Sequence, residues 1–286
     1  MRATHYITIV IAIALIALLY WGGNTVPPAR KPEAGMQQAT NGAMTQGPNT
    51  MKAASFDSII SASKAQLPKT VADTVLSIEN ELTAMHDSSR MAAVFNKLSG
   101  VWERGKQLQV AAYYSAKAAK LENSEKKLTF AGQIFLQLME NESSPSMQAW
   151  DAEQATSCLE QSLKLNDKNE DTKLALATAY IEGTGEPMRG VQILLAITRE
   201  NPDDIPANLL LGRMSIQSGQ FDKAVGRFEK ILQLEPENTE AMFFLAEAYE
   251  GTGNKQKAKE LLEKCKSKVD NPDFSKEIDE KLNSLK

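Results

Sequence analysis

A 34-residue period in the C-terminal half of the chain restricts its fold more than any other feature of the sequence. One copy of the period spans residues 205–238, and a second spans residues 239–272. A preceding copy, residues 170–204, is one residue longer. A period of this length is typical of proteins built from repeated pairs of helices, in which each pair buries its apolar side against its neighbours.

The residues that recur in these copies have the sizes that a pair of antiparallel helices requires. Two helices approach closely only where small side chains face each other, and larger side chains fill the space beside that contact. Positions 8 and 20 hold glycine or alanine, and position 24 holds leucine or phenylalanine. In two of the copies, glycine at position 15 lets the chain reverse between the helices. In two of the copies, proline at position 32 ends the second helix. Position 8 holds Ala177, Gly212 and Ala246, position 20 holds Gly190, Ala224 and Ala258, and position 24 holds Leu194, Phe228 and Leu262. The glycines at position 15 are Gly219 and Gly253, and the prolines at position 32 are Pro202 and Pro236.

This pattern resembles that of the tetratricopeptide repeat family. The resemblance implies an all-α fold, a superhelix (α-solenoid) of stacked helical hairpins, with clear repeats at residues 170–204, 205–238 and 239–272. We expect the extra residue of the first of these repeats in the turn between its two helices, where an insertion disturbs packing least.

The pattern continues upstream in two divergent repeats. In residues 92–125 the expected residue types occupy most positions, but position 24 holds Ser115, where a large side chain is usual. In residues 126–169 two helical patterns are separated by residues 140–147, and the sequence ENESSPSM predicts an expanded loop there.

Amphipathic segments flank the repeats on both sides. Apolar residues at helical spacing predict capping helices in residues 55–90, and residues 273–286 are predicted to form a last helix with Asp273 as its N-cap. A stack of repeats needs such terminal elements, because its end hairpins would otherwise expose an apolar face. We therefore expect residues 55–286 to form one helical repeat domain.

Residues 1–23 have the composition of an N-terminal membrane anchor, a transmembrane helix. The run from Tyr6 to Trp21 is apolar and uncharged, and a helix from Thr4 to Trp21 would be about 27 Å long, close to the ~30 Å hydrocarbon core of a bilayer. A cleaved signal peptide is the alternative interpretation, although no clear small-x-small cleavage site follows the run. Residues 24–54 are predicted to be a flexible linker. We expect a single-pass protein of the inner (cytoplasmic) membrane with a periplasmic or otherwise extracytoplasmic repeat domain.

Charge and composition argue against several classes of function. Four basic residues and one acid precede residue 56, so residues 56–286 hold 28 basic and 35 acidic residues and carry a net charge of −7. They contain no basic stripe of the kind that binds nucleic acid, and an acidic surface repels phosphate groups. The only histidines are His5 and His86, so a histidine-based triad or a zinc site is excluded. Cys158 and Cys265 match no metal-ligand spacing and are interpreted as small buried hydrophobic residues. We expect no catalytic, cofactor-binding or metal-binding residues, and predict that the chain is not an enzyme.

The resemblance to the tetratricopeptide repeat family also implies a peptide-binding groove on the concave side of the superhelix. In that family, positions 2, 5, 9 and 12 of the first helix line the groove. Position 2 holds Asp171, Pro206 and Glu240. Positions 5, 9 and 12 hold the predicted binding residues, which are Leu174, Thr178 and Ile181; Leu209, Arg213 and Ile216; and Phe243, Glu247 and Glu250. Such a strip, apolar and edged by one arginine and several acids, would suit an amphipathic helix or an extended peptide. In the alternative interpretation, neighbouring repeats or a terminal helix bury some of these residues.

Taken together, these features favour a membrane-anchored, non-catalytic adaptor that binds a protein or peptide through this groove. The alternative is a self-associating regulatory or accessory subunit of a membrane or envelope complex, for example one that assembles respiratory or cytochrome c maturation machinery. The sequence does not identify the partner, and it leaves a homo-oligomer open.

Overall fold

The computed structural model describes residues 53–83 and 85–285, and the regular structure of these residues is helical throughout. The predicted membrane anchor and most of the predicted linker lie outside the described residues. The helices are α1 (Phe56–Gln66), α2 (Lys69–Thr83), α3 (Ser88–Arg104), α4 (Leu108–Leu121), α5 (Glu125–Glu140), α6 (Pro145–Leu165), α7 (Glu170–Thr178) with a π-helical turn (Ala179–Gly183), α8 (Pro187–Glu200), α9 (Ile205–Gln217), α10 (Phe221–Leu234), α11 (Thr239–Gly251), α12 (Lys255–Lys266) and α13 (Pro272–Ser284).

Within the described residues, α3 to α12 pair into five successive hairpins, and each hairpin packs against the next. The last three, α7/α8, α9/α10 and α11/α12, lie inside residues 170–204, 205–238 and 239–272. The all-helical array of hairpins predicted from the 34-residue period is therefore confirmed. Among the helices of the described residues, none combines the length and the apolar character needed to cross a bilayer.

The contact between small and large residues holds each hairpin together, as the spacing predicts. A Cβ atom added to Gly212 in α9 would lie 2.4 Å from Cζ of Phe228 in α10, so only glycine permits this approach. The residues at position 24 of the three clear repeats, Leu194, Phe228 and Leu262, have exposed fractions of 0%, 0% and 1%. Complete burial of these side chains supplies much of the apolar stabilisation of the hairpins.

Short polar motifs set where the helices begin and where the chain turns. Asp204 and Asn238 are N-caps, since their side-chain oxygens accept hydrogen bonds at 2.8 Å from the backbone N–H of Ala207 and Ala241. The turns of the hairpins α9/α10 and α3/α4 contain a residue with a left-handed backbone: φ is 72° at Gly219 and 59° at Lys106, the corresponding position of the divergent repeat 92–125. Lysine adopts this conformation less readily than glycine.

The extra residue of the repeat 170–204 lies within its first helix, so the prediction that it lies in the turn is wrong. Residues Ala179–Gly183 form a π-helical turn directly after α7. A π-helical turn holds one residue more than an α-helical turn. Packing against the preceding hairpin explains the position: Tyr180 is buried, and a Cβ on Gly183 would lie 2.4 Å from Cβ of Ala152 in α6.

The connection within residues 140–147 is shorter than the predicted expanded loop, because half of these residues belong to helices. α5 ends at Glu140 and α6 begins at Pro145, so only four residues connect them. Proline is well suited to the first turn of a helix, because a backbone N–H at that position would have no hydrogen-bond partner within the helix. The additional N-terminal turns of α6 bring Trp150 against Phe135 of α5 and Phe56 of α1, with ring centroids 5.6 and 6.3 Å apart.

The ends of the array are covered by α1 and α2 on one side and α13 on the other. α13 buries Ile278 completely and packs Phe274 and Leu282 against the last hairpin. Its N-cap is Asn271, whose side chain accepts hydrogen bonds from the backbone N–H groups of Asp273 and Phe274, so the assignment of Asp273 as the cap is wrong. Asp273 instead occupies the first turn, where an acid interacts favourably with the helix dipole.

Candidate protein-binding surface

The nine residues predicted to line a groove lie on the first helices of three consecutive hairpins, α7 with its π-helical turn, α9 and α11. The structure brings two of them, Ile181 and Arg213, to the same cavity of about 330 Å³ between the π-helical turn and α9. Glu182, Leu210, Met214 and Gln217 complete its lining. Leu210 and Met214 were missed because they follow the predicted positions 5 and 9 by one residue.

Arg213 is held in a defined position at this cavity. Its Nη2 atom lies 3.5 Å from Oε1 of Glu182, and its guanidinium carbon lies 5.5 Å from the centre of the Phe244 ring. The π-helical turn contributes Glu182, so the inserted residue also shapes the site. Both charged side chains keep about a third of their surface exposed, 36% for Arg213 and 29% for Glu182.

The apolar residues of α7 and α9 are half-buried rather than fully exposed. Leu174 and Ile181 pack against the small core cluster formed by Leu194, Ile197 and their neighbours, and Leu209 and Ile216 pack against the C-terminal cluster. Thr178 donates its hydroxyl to the carbonyl of Leu174 at 3.1 Å. We call these residues together with Arg213 the first-helix surface: Leu174, Thr178, Ile181, Leu209, Arg213 and Ile216.

The predicted groove does not extend as an open apolar strip to α11. Phe243 is only 6% exposed, because Phe274 of α13 lies against it with ring centroids 5.2 Å apart. Lys281 of α13 forms an ion pair with Glu247 at 3.2 Å. α13 covers this part of α11 because its own apolar face must be buried. Of the three predicted residues on α11, Phe243 is therefore wrongly placed as exposed, whereas Glu247 and Glu250 are partly exposed.

A second cleft, of about 560 Å³, lies between the hairpin α3/α4 and the next helix, α5. It was not predicted from the sequence as a site. The sequence signal that accompanies it is Ser115, the small residue at position 24 of the divergent repeat. Its lining consists of Ser99, Glu103, Leu108, Ala111, Ala112, Ser115, Phe130, Ile134, Gln137, Leu138 and Asn141.

A third depression, of about 670 Å³, lies between α6 and the π-helical turn, and Arg189 pairs with two of the acids that line it. Arg189 bonds to Glu160 at 3.1 Å and to Glu186 at 3.0 Å, and its guanidinium stacks 4.0 Å from the ring of Tyr180. Tyr180 donates its hydroxyl to Glu160. Burial and this hydrogen bond raise the pKa of Tyr180 to about 12. The network joins α6 of one hairpin to α8 of the next.

The cysteines and clustered acids of the described residues do not form a reactive centre. No group of three or more His, Cys, Asp and Glu side chains is placed to hold a metal ion within the part of the chain that the structure describes. Cys158 is fully buried, and burial raises the pKa of its thiol to about 11, the opposite of what a nucleophilic cysteine requires. Cys265 is buried in the same way, with its thiol against the carbonyl of Thr239 at 3.4 Å.

Comparison with known proteins finds a family match in the C-terminal part of the array. Residues 215–275 match the family model described as tetratricopeptide repeat. No curated protein matches the chain. The alignment covers 61 residues and contains α10, α11 and α12 in full.

Several solved structures are similar in fold at low sequence identity. YrrB, described as a TPR protein with an unusual peptide-binding site, is 18% identical with a TM-score of 0.47, over 66% of this chain and 92% of YrrB. MamA residues 41-end from Desulfovibrio magneticus RS-1 are 20% identical with a TM-score of 0.49, over 65% and 97%. PilW, described as a type IV pilus biogenesis factor, is 19% identical with a TM-score of 0.48, over 63% and 78%.

Proposed function

From the match of residues 215–275 to the tetratricopeptide repeat family, we propose that this chain is a non-catalytic adaptor that holds a segment of another protein on its first-helix surface. The observation that carries the proposal is the cavity of about 330 Å³ where Ile181 of the π-helical turn meets Arg213 of α9. This cavity lies in the middle of the array, away from α13, which covers the corresponding surface of α11.

The chemistry of the first-helix surface suits a polypeptide ligand. Half-buried Leu209 and Ile216 offer apolar contact next to Arg213. The guanidinium of Arg213 has five N–H donors, and its described side-chain contacts are the ion pair with Glu182 and the ring of Phe244. The remaining donors are available to the carbonyl oxygens of an extended peptide or to an acidic side chain. Because Arg213 is already held in place, binding requires little further ordering of this side chain.

The adaptor is further proposed to be tethered to the inner membrane by residues 1–23, with residues 24–54 as its linker and the repeat domain outside the cytoplasm. The support is the uncharged apolar run that follows Arg2. Protease added to intact spheroplasts should then digest the repeat domain. Protection of the domain until the membrane is opened would contradict this orientation, and release of the full-length chain by washing would contradict the anchor.

Site-specific photo-crosslinking tests the proposed binding surface. A photoreactive amino acid replaces Leu209 of the first-helix surface in the full-length chain, and the matched control carries it at Leu234, a 46% exposed leucine on the second helix α10. We expect discrete crosslinked proteins with the probe at residue 209 and none of the same bands with the probe at residue 234. Identical products from the two positions would contradict the assignment, and products that contain only a second copy of this chain would favour the self-associating subunit.

A charge substitution provides the complementary test. For this test the photoreactive amino acid replaces Ile216 of the first-helix surface. Leu209→Glu places a carboxylate on that surface and should abolish the crosslinks formed by the probe at residue 216, while Leu234→Glu should not. Circular dichroism of both variants checks that the helices are retained, since a charge at a half-buried position also affects stability. Undiminished crosslinking in a folded Leu209→Glu variant would exclude this surface.

A further inference from the structure

The second helix α8 carries an exposed stripe that contains two large apolar side chains. Met188 is 66% exposed, the highest value among the large hydrophobic residues of the described chain, and Leu195 is 42% exposed. Gln192, Ala196 and Arg199 are exposed on the same side of α8, because residues three or four apart share one side of a helix. We call these five residues the α8 face.

The second helices of the next two hairpins are polar at the same positions. With Gly190 at position 20, Met188 is at position 18 and Leu195 is at position 25 of the repeat 170–204. In α10 and α12 the residues at positions 18 and 25 are Asp222, Glu229, Gln256 and Glu263, all of them exposed. A single exposed leucine is ordinary, but an apolar stripe where the neighbouring repeats carry acids and glutamine indicates contact with another molecule. The first-helix surface is on other helices, so the α8 face is not part of it.

A shallow depression of about 380 Å³ borders the α8 face, and Gln192 and Ala196 belong to both. Leu176 of α7 and Ile193 of α8 contribute apolar side chains to its lining. A depression of this volume can receive a leucine or methionine side chain from a second molecule. The α8 face therefore offers both side chains that project and a space that accepts one.

The charges at the two ends of α8 are complementary to each other. The depression of about 670 Å³ lies beside the first turn of α8, and its lining contains four glutamates and one arginine. At the other end Arg199 is exposed, and its guanidinium forms no ion pair with any residue that the structure describes. Glu200 follows it but lies about 100° further around the helix. Two α8 helices packed antiparallel would place each Arg199 at the acidic end of the other, and their helix dipoles would also be opposed.

We propose that the α8 face is a contact between two copies of this chain, related by a two-fold axis with their α8 helices antiparallel. A two-fold contact requires a surface that is complementary to itself. The α8 face meets this requirement, because it is apolar along its middle and has charges of opposite sign at its two ends. It also contains no acid, whereas the acidic repeat domain makes two copies repel each other elsewhere.

The proposed contact is small. One helix face against its copy buries less than the ~800 Å² per partner of a standard interface, so we expect weak, reversible association that increases with the concentration of the chain. The contact does not depend on the proposed function of the first-helix surface, which stays free to bind a ligand in each copy.

Cysteine crosslinking of the full-length chain tests the pairing. Gln192→Cys lies near the middle of the α8 face, beside its own symmetry mate, and Gly226→Cys occupies the same repeat position in α10 as the matched control. A side chain added at residue 226 meets no atom within 4 Å, and the native Cys158 and Cys265 are buried. Oxidation with copper phenanthroline should give at least about tenfold more disulfide-linked dimer from residue 192 than from residue 226. Equal yields from the two positions would overturn the proposal.

Second substitutions in the Gln192→Cys chain test the chemistry of the contact. Leu195→Glu introduces the residue type that α10 and α12 have at position 25, so it should leave the melting temperature unchanged and lower the dimer yield at least about tenfold. Met188→Gln, the residue type of α12, should also lower the yield, so the test holds if Leu195→Glu does not fold. Arg199→Glu should lower it roughly threefold at low salt and less at high salt. The control Leu234→Glu should have no effect. Undiminished dimer in folded Leu195→Glu and Met188→Gln, or crosslinks in cells that contain only a different protein, would refute the contact.

Discussion

Asp151 in α6 is a buried acid whose protonation should control the stability of the array. It has no exposed surface, and neither of its carboxylate oxygens has a hydrogen-bond partner within the described residues. Burial, and to a smaller extent the carboxylate of Glu142, raises the pKa of Asp151 to about 7. A carboxylate that is removed from water without a partner is costly, so the folded chain favours the protonated acid. We predict that Asp151 makes the folded state less stable as the pH rises.

The size and the pH range of this effect follow from the two pKa values. The difference between about 7 in the folded chain and the ordinary 3.8, at ~1.36 kcal/mol per pKa unit, corresponds to about 4 kcal/mol. Because the folded state binds this proton more tightly than the unfolded state, the contribution is fully present below about pH 4 and is lost as the pH rises to about 7. Between pH 5 and pH 8 the loss amounts to roughly 2.5 kcal/mol.

Urea unfolding of Asp151→Asn at pH 5 and pH 8 measures this contribution. Asparagine has nearly the same shape and stays neutral, and the other titrating groups are common to both proteins and cancel in the difference. The free energy of unfolding of the variant, relative to the wild type, should increase by roughly 2.5 kcal/mol from pH 5 to pH 8. Asp167→Asn, in the exposed loop between α6 and α7, is the matched control and should show no such increase. An equal difference at the two pH values for Asp151→Asn would refute the reasoning.

Four further substitutions test the packing and the turns of the hairpins. Gly212→Ala should destabilise the chain by roughly 1–3 kcal/mol in thermal unfolding, because the added methyl group would lie 2.4 Å from the ring of Phe228, and Phe228→Leu should recover part of the loss. Lys106→Gly should stabilise by about 1 kcal/mol, because it relieves a residue with a φ of 59°, and a lower melting temperature would contradict this. Phe274→Ala should uncover Phe243 and lower the free energy of unfolding by roughly 2 kcal/mol, so an unchanged urea midpoint would show that α13 does not hold the last hairpin.

The repeated hairpins could be predicted from the sequence because their determinants are local. The small residue Gly212 and the large residue Phe228 recur at fixed distances along the chain, and the side chain of Asp204 caps the following helix by accepting a hydrogen bond from the backbone N–H of Ala207. These interactions join residues that are only 3 and 16 positions apart along the chain. Three copies of the same pattern therefore indicate the same hairpin three times.

The candidate site was predicted less well, because exposure depends on residues that are distant in sequence. Phe243 occupies the same repeat position as Leu209, and nothing in its own repeat distinguishes the two. Phe243 is covered because Phe274, about thirty residues later, belongs to a helix that follows the last hairpin. Leu209 has the hairpin α11/α12 after it instead, and it stays half-buried.

The sequence by itself determined the helical hairpins, their order and the residues at which they touch, since each of these follows from side-chain size and capping within one repeat. Only the tertiary structure decided where the extra residue of the repeat 170–204 is accommodated, which surface α13 covers, and that Asp151 is buried with no hydrogen-bond partner among the described residues. These features arise between repeats, where the shape of one hairpin selects the conformation of the next. The open cleft at Ser115 needed both the sequence and the tertiary structure. The sequence shows a small residue where the clear repeats have leucine or phenylalanine, and only the packing shows that nothing within the described residues fills the space.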